Sequence, residues 1–306
     1  MKSVLSLFCV NAICLWADGH GPAFGFSTAT LGEGDASVGT ALMWRSGEAM
    51  ISPEVSYGIT ENYQISISSP LDLNHGEHPV GRFTGMMPGD PEVEVLNAWR
   101  FHHASTGIGR RNESTLYFGG SASTQTPPRA DGPPLHRAVG LYAGVATGHI
   151  SRRFYVWGGA GYEQHFRWSE DHQSNTLLSS LVLGWRPPLL DKEYPKPDWR
   201  FFWETTAECV GRASRDVASP ITDTGVHGHD EVISVPQPPG TGLIVLPNSG
   251  GAAVYSGPTL LFTHKNVALQ GGVLFALWRD VNGIQPAERM RAVASCTYFF
   301  LGGRHK

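Results

Sequence analysis

The sequence predicts an antiparallel transmembrane β-barrel of about twelve strands, and three observations carry that prediction. Apolar residues recur with a period of two, not 3.6, along most of the chain. The alternating stretches are mostly about 9–13 residues long; strands of globular sheets are typically about 5–6, and a tilted bilayer-crossing strand needs about 9–11. Their connections alternate between short and long, as in outer-membrane barrels with short periplasmic turns and long outside loops.

Composition agrees. Of the 306 residues only 16% are charged, against about 25% in an average soluble domain. Glycine is frequent (37 residues), as are aromatics (9 Trp, 9 Tyr, 14 Phe). With 41% hydrophobic residues and a net charge of −4, the chain has ample apolar surface to bury, which excludes a disordered class. The balance of 23 basic and 27 acidic residues offers no field for nucleic acid, and no nucleic-acid partner is expected. Mean hydropathy of −0.17 alone suggests a water-soluble protein. A wall with one face in lipid and the other in water gives the same average.

In chain order, Lys2, the mostly apolar run Val4 to Trp16 and then Ala17 have the layout of a secretory signal peptide, with Leu15 rather than Ala at the −3 position. Residues 1–17 are therefore expected to be a signal peptide, 18–37 a periplasmic N-terminal segment and 38–306 the barrel. Strands are expected near 38–46, 49–59, 62–71, 92–103, 113–121, 137–148, 153–164, 175–187, 199–213, 251–264, 267–278 and 288–301. Short connections near 60–62, 104–112, 149–152, 187–198 and 265–266 then fall on the periplasmic side. The long ones, 72–91, 122–136, 165–174, 214–250 and 279–287, fall outside, with 46–48 a tight exception.

Three strands show the alternation best. Val93, Val95, Trp99 and Phe101 share one parity, with Glu92, Glu94 and Arg100 on the other. Phe201, Trp203, Ala207 and Cys209 alternate with Glu204, Thr206, Glu208 and Arg212. Met290, Ala292, Ala294, Cys296, Tyr298 and Phe300 alternate with Arg289, Arg291, Ser295 and Thr297. Lys or Arg on a lipid face costs about 2–4 kcal/mol at the midplane, so the charged parity belongs in the lumen. The candidate lumen and selectivity residues are Glu94, Arg100, Glu204, Glu208, Arg212, Arg289 and Arg291, with Glu92 beside them. Tyr63, Trp99, Trp157, Trp185, Trp203, Tyr298 and Phe300 suit interfacial girdles. A soluble β-sandwich is the competing fold, and its strands are usually shorter.

Several strand–turn patterns carry a resemblance. Residues Gly32 to Thr40 and Ser52 to Asn62, then Ser256-Gly257-Pro258-Thr259-Leu260, Val267 to Val273 and Arg279-Asp280-Val281-Asn282-Gly283, resemble the outer-membrane barrel family named after the meta-pathway of phenol degradation. The resemblance implies a barrel over the whole chain and a transport role, and says little about cargo. Two features depart from the pattern: Phe300 is followed by Leu-Gly-Gly-Arg-His-Lys instead of ending the chain, and the 214–250 loop is long and rich in Pro and Gly.

Reactive groups are few. Histidine is enriched, at 13 residues, and His75, His78, His165, His172, His227 and His229 are expected in long outside loops. His75, His78, His227 and His229 lie beside carboxylates, ligand types that suit Zn²⁺, Cu²⁺ or Ni²⁺, although the spacing matches no closed structural site. No cofactor is expected beyond weak divalent-metal binding at those loops. His149 and His264 sit at strand ends with no Gly-x-Ser-x-Gly elbow nearby, so no enzyme is expected. Cys209 and Cys296, left after signal removal, read as small apolar residues.

Two functions compete: a channel passing small solutes through a charged lumen in a bacterial outer membrane, and a non-conducting surface barrel whose His-rich loops bind a divalent metal or partner. The expected partners are outer-membrane lipid, a small-molecule solute and the outer-membrane assembly machinery. Whether the lumen is open, or plugged by residues 18–37 or by the 214–250 loop, separates the two.

Overall fold

The computed structural model describes residues 21–45, 48–73, 92–123, 139–166, 171–172, 175–188, 196–212, 214–216, 243–245, 250–282 and 288–302. Among them, twelve long strands form one antiparallel sheet that closes on itself. In chain order these are β1 (Ala36–Arg45), β2 (Glu48–Thr60), β3 (Tyr63–Ser68), β4 (Glu92–Gly107), β5 (Arg110–Ser123) and β6 (Val139–Ser151). They continue as β7 (Phe154–Phe166), β8 (Thr176–Trp185), β9 (Asp198–Val210), β10 (Gly251–His264), β11 (Val267–Val281) and β12 (Met290–Phe300). Each strand pairs with its neighbours in sequence. Closure comes from β1, which pairs with β2 on one side and with β12 on the other, from Ala36↔Phe300 to Arg45↔Arg291. A closed sheet leaves no edge of unpaired backbone groups, the condition for a β-structure in hydrocarbon.

The short connections gather at one end of the barrel, the turn end, and the long ones at the other, the loop end, as expected. Leu71–Asp72 continues the line of β3 against Ile51 and Met50 of β2. Asp171–His172, Ser214–Asp216 and Leu243–Val245 make a small separate sheet at the loop end.

One connection is much shorter than expected. Residues 104–112 were expected to link two strands, but only Ile108 and Gly109 do, and Gly109 adopts φ 66° in the turn. The ladder runs on to Gly107↔Arg110, taking up bulges near Arg100/His102 and Ser105/Gly107. Cross-strand bonds between β5 and β6 support this extension: Ser114 Oγ lies 3.1 Å from Thr147 Oγ1, and His149 Nδ1 lies 2.7 Å from Asn112 Oδ1. His165, expected in an outside loop, is in strand β7 beside Glu163.

Alternation sets the two faces. Strand β8 reads strictly buried-exposed: Leu178 and Val182 are buried, whereas Leu177, Leu181, Leu183 and Trp185 are exposed. The exposed parity of the other strands is apolar as well, including Val55, Tyr57, Trp99, Leu141, Trp203, Phe275 and Tyr298. A continuous apolar band around the whole wall far exceeds the patches of a few hundred Å² that soluble monomers carry, and lipid is the solvent that fits it. Cys209 and Cys296 are free and exposed on this face, with β10 and β11 between their strands.

Trp157 departs from its expected place in a girdle. It faces the lumen, stacked on Tyr155 with ring centroids 5.4 Å apart, and is 2% exposed. Its parity on β7 is that of Gly159, Gly161 and Glu163, the lumen side. The girdle at the turn end is instead made by Trp99, Phe101, Phe154, Trp185, Phe201, Tyr298 and Phe300, all exposed.

Candidate functional site

The lumen is filled from within. Residues 21–35 precede β1; from Phe24, packed with Ala253 and Tyr255, they run to the turn end, where Leu31 meets Gln64. From Gly21 to Gly32 they carry no charged residue, and residues 21–28 are all buried. The three apolar clusters of the lumen each include this segment. Leu31 joins Tyr155, Trp157, Val182, Phe202, Leu261, Ala268 and Phe299 near the turn end. Phe26 joins Leu96, Tyr142, Ala146 and Leu178. Ala23 and Phe24 join Ala253, Tyr255, Leu274 and Val293 toward the loop end.

Side chains of six strands hydrogen-bond the segment to the wall. Leu31 N donates to Gln64 Oε1 of β3 at 2.8 Å. Thr28 Oγ1 donates to Glu113 Oε2 of β5 at 3.0 Å and accepts from Trp157 Nε1 of β7 at 3.1 Å, while Thr115 Oγ1 donates to the Thr28 carbonyl at 2.8 Å. Tyr117 OH donates to the Ser27 carbonyl. Phe26 N donates to Ser180 Oγ of β8 at 2.8 Å. The next three amides upstream converge on one carboxylate, Glu204 of β9: Ala23 N to Oε1 at 2.7 Å, and Phe24 N and Gly25 N to Oε2, each at 2.8 Å. Thr259 Oγ1 of β10 donates to the same group, and Gln270 Nε2 of β11 donates to the Gly21 carbonyl at 2.8 Å. Hydrogen bonds to a charged group contribute about 1.5–3 kcal/mol each, so Glu204 is the strongest single anchor.

Two glycines make the fit possible. A Cβ on Gly25 would collide with the Val182 side chain, and one on Gly159 would lie 2.6 Å from Phe26 Cβ. The missing side chains let the segment's backbone and the Phe26 ring press against the wall.

Above Phe24, toward the loop end, lies a buried ion cluster. Arg291 of β12 makes a two-pronged pair with Glu208 of β9, with Nη2 to Oε2 at 2.7 Å. Its Nε also donates to Glu288 Oε1 at 2.6 Å. Arg45 of β1 donates to both oxygens of Glu288, at 2.9 and 2.7 Å, and Tyr255 OH donates to Oε2 at 3.0 Å. The Arg291 guanidinium lies 3.7 Å from the Tyr255 ring centroid. Two arginines face two glutamates, so the cluster is neutral overall. Burial opposes ionisation of Glu288, in the connection leading to β12, but Arg45 and Arg291 outweigh it and hold its carboxyl down at about 2.

At the turn end, Glu113 meets Arg111 at 2.7 Å, Arg100 at 3.4 Å and His103 at 3.9 Å. Asp198 meets Arg186 at 2.6 Å and Arg200 at 2.9 Å.

The residues expected in the lumen thus divide. Glu204, Glu208 and Arg291 face it, deeply buried. Glu94 faces it beside Ser68, whose Oγ donates at 3.0 Å, and Arg100 reaches Glu113 and the Glu61 carbonyl. Arg212 and Arg289 lie beyond the strand ends at the loop-side rim, both exposed, because β9 stops at Val210 and β12 starts at Met290. Arg45, Glu113, Asp198 and Glu288 were not anticipated. The Glu113, Thr115, Tyr117 parity could have found the second of these; of the two candidate plugs, the segment within residues 18–37 lies in the lumen, and its charge-free Gly21–Gly32 run is the signal that favours it. His75, His78, His227 and His229 lie outside the described residues. Among the described residues no group of three or more metal-ligating side chains occurs.

No family model matches the sequence, and no curated protein matches it. Among solved structures the chain is similar to an outer membrane channel from Pseudomonas putida F1, at 12% identity and a TM-score of 0.53, over 90% of this chain and 98% of that one. The chain has the fold of an outer-membrane β-barrel. It is also similar to the NanC porin (9% identity, TM-score 0.44, 86% and 98% of the two chains) and to LpxR from Salmonella typhimurium (11%, 0.42, 86% and 100%). At these identities the likeness is one of fold.

Proposed function

We propose that this chain is a channel of the bacterial outer membrane for small solutes, with a charged lumen that residues 21–35 hold closed until they are displaced. The carrying observation is the run of wall-to-segment hydrogen bonds centred on Glu204. These contacts are non-covalent and can be exchanged, so the one chain can take a closed and an open arrangement whose balance a solute or partner shifts. In the open arrangement Glu94, Arg100, Glu204, Glu208 and Arg291 line the path and bias its ion selectivity, with Arg212 and Arg289 at its outer rim. The similar Pseudomonas putida F1 protein is itself an outer membrane channel. Membership of the phenol meta-pathway barrel family, and assembly through the machinery that reads a final strand such as β12, belong to the same reading.

A second reading draws on the closure itself: a barrel that never opens would act through its loops, with His75, His78, His227 and His229 taking a divalent metal. Planar-bilayer recording separates the two. Steady or bursting KCl conductance, larger when the segment is loosened, supports the channel. A silent barrel, with zinc binding that is lost in His227→Ala, His229→Ala protein, supports the surface barrel.

A further inference from the structure

We propose that the wall around Glu204 is a binding site for a small solute that joins a protonated primary amine to an apolar or aryl group, and that residues 23–26 occupy it in the closed barrel. The inference rests on the channel reading and names its solute class.

The wall here supplies acceptors. Glu204 is fully buried and has no cationic partner among the described residues; its charge is met only by the amides of Ala23, Phe24 and Gly25 and by Thr259 Oγ1. Ser180 Oγ accepts from Phe26 N. Two more polar side chains on lumen-facing positions of β9 and β11, Thr206 and Gln270, are more than nine-tenths buried, and Thr206 Oγ1 and Gln270 Oε1 have no hydrogen-bond partner. A buried polar atom without a partner costs about 1–3 kcal/mol, so this stretch of wall has acceptor capacity that its resident does not use.

The resident presents only donors to that wall, four consecutive backbone N–H groups. A primary ammonium presents three N–H donors and adds the positive charge that Glu204 lacks. Apolar seats flank the carboxylate on both sides: Phe24 against Ala253, Tyr255, Leu274 and Val293, and Phe26 against Leu96, Tyr142, Ala146 and Leu178. A ligand with a cationic head and one aryl group would replace the three amides and one of the two rings. An anion would meet Glu204 and is disfavoured; a neutral alcohol of the same shape fills the seat but leaves the charge unmet.

The test is calorimetric titration of the refolded full-length barrel in detergent with 2-phenylethylamine, 2-phenylethanol and ethylamine at neutral pH, with KCl conductance recorded separately. The amine should bind at least about tenfold more tightly than the alcohol or ethylamine. Glu204→Gln should erase that preference, bringing amine and alcohol affinities within about twofold of each other. Phe26→Ala should raise amine affinity, because the occupant competes and any site open for only a fraction of the time binds more weakly by that fraction. If Glu204→Gln does not refold, Ser180→Ala with Thr206→Val, which keeps the carboxylate and removes two of the acceptors, should still weaken the amine selectively. Equal binding of amine and alcohol by wild type and by Phe26→Ala, or an amine preference untouched by Glu204→Gln, overturns the proposal. Conductance without amine preference ends the site and keeps the channel; amine preference in a silent barrel does the reverse.

Discussion

Replacing Phe26 by alanine should unseat the inner segment while leaving the barrel wall intact. The ring is 2% exposed, lies over Gly159, and shares its cluster with Leu96, Tyr142, Ala146 and Leu178, with the Tyr117 ring centroid 6.2 Å away. Removing a phenyl group from such a site costs about 3–5 kcal/mol. The wall strands are held by their own ladders, so that cost falls on the seating of residues 21–35 and not on the barrel. At about 1.4 kcal/mol per decade, the ratio of released to seated segment should rise by two to three and a half decades, from about 10²-fold to about 4 × 10³-fold. The assay is single-channel recording in planar bilayers on protein whose folding is checked by heat-modifiable migration in SDS gels. Open probability should rise steeply in Phe26→Ala and stay at the wild-type level in Phe300→Ala, a control on the lipid face. A folded Phe26→Ala barrel with wild-type conductance would refute the reasoning.

Other perturbations probe the wall and its charges. Leu181→Arg places a cation on the exposed face midway along β8 and should cost about 2–4 kcal/mol in urea titrations of folding into phospholipid vesicles; no cost would mean that this face does not meet lipid. Arg291→Met takes from Glu208 its two-pronged partner and leaves Glu288 to Arg45 alone, and should destabilise the barrel by about 3–5 kcal/mol, whereas Arg212→Met at the exposed rim should stay within about 0.5 kcal/mol. Glu288, held at about 2 in the folded protein, has a depressed pKa, so its contribution is fully present above its unfolded value of about 4.3 and is lost as pH falls from there through about 2. Unfolding midpoints should therefore drop over that window in wild type and less in Glu288→Gln; identical pH profiles would contradict the ion cluster.

The wall was legible in the sequence because alternation is a local signal. Leu177 to Trp185 and Met290 to Phe300 state their faces residue by residue, and burial follows that parity. Turn lengths were less legible: the 104–112 stretch is polar and reads as a loop, yet cross-strand partners such as Asn112 with His149 continue the ladder, and such partners are far away in sequence. Trp157 was misplaced because an aromatic near a strand end suggests a girdle, whereas its parity with Gly159, Gly161 and Glu163 puts it inside, where the glycines leave it room. The lumen residues Glu204, Glu208 and Arg291 came from parity alone, but nothing local shows that Glu204 serves the amides of Ala23 to Gly25, some 180 positions earlier. The same distance hides the Arg45–Glu288 pair, which forms because closing the barrel brings β1 beside β12.

The central claim, that residues 21–35 occupy the lumen of a closed barrel, is tested most directly by thiol labelling. In a Cys209→Ala, Cys296→Ala background, Ser27→Cys replaces a buried residue of the segment and Glu33→Cys an exposed one near the turn end. With a membrane-impermeant maleimide applied to the refolded barrel in vesicles permeabilised to the reagent, Glu33→Cys should label rapidly. Ser27→Cys should label at least about tenfold more slowly and speed up when Phe26→Ala is added. Equal labelling rates at the two positions in an otherwise wild-type segment would contradict it.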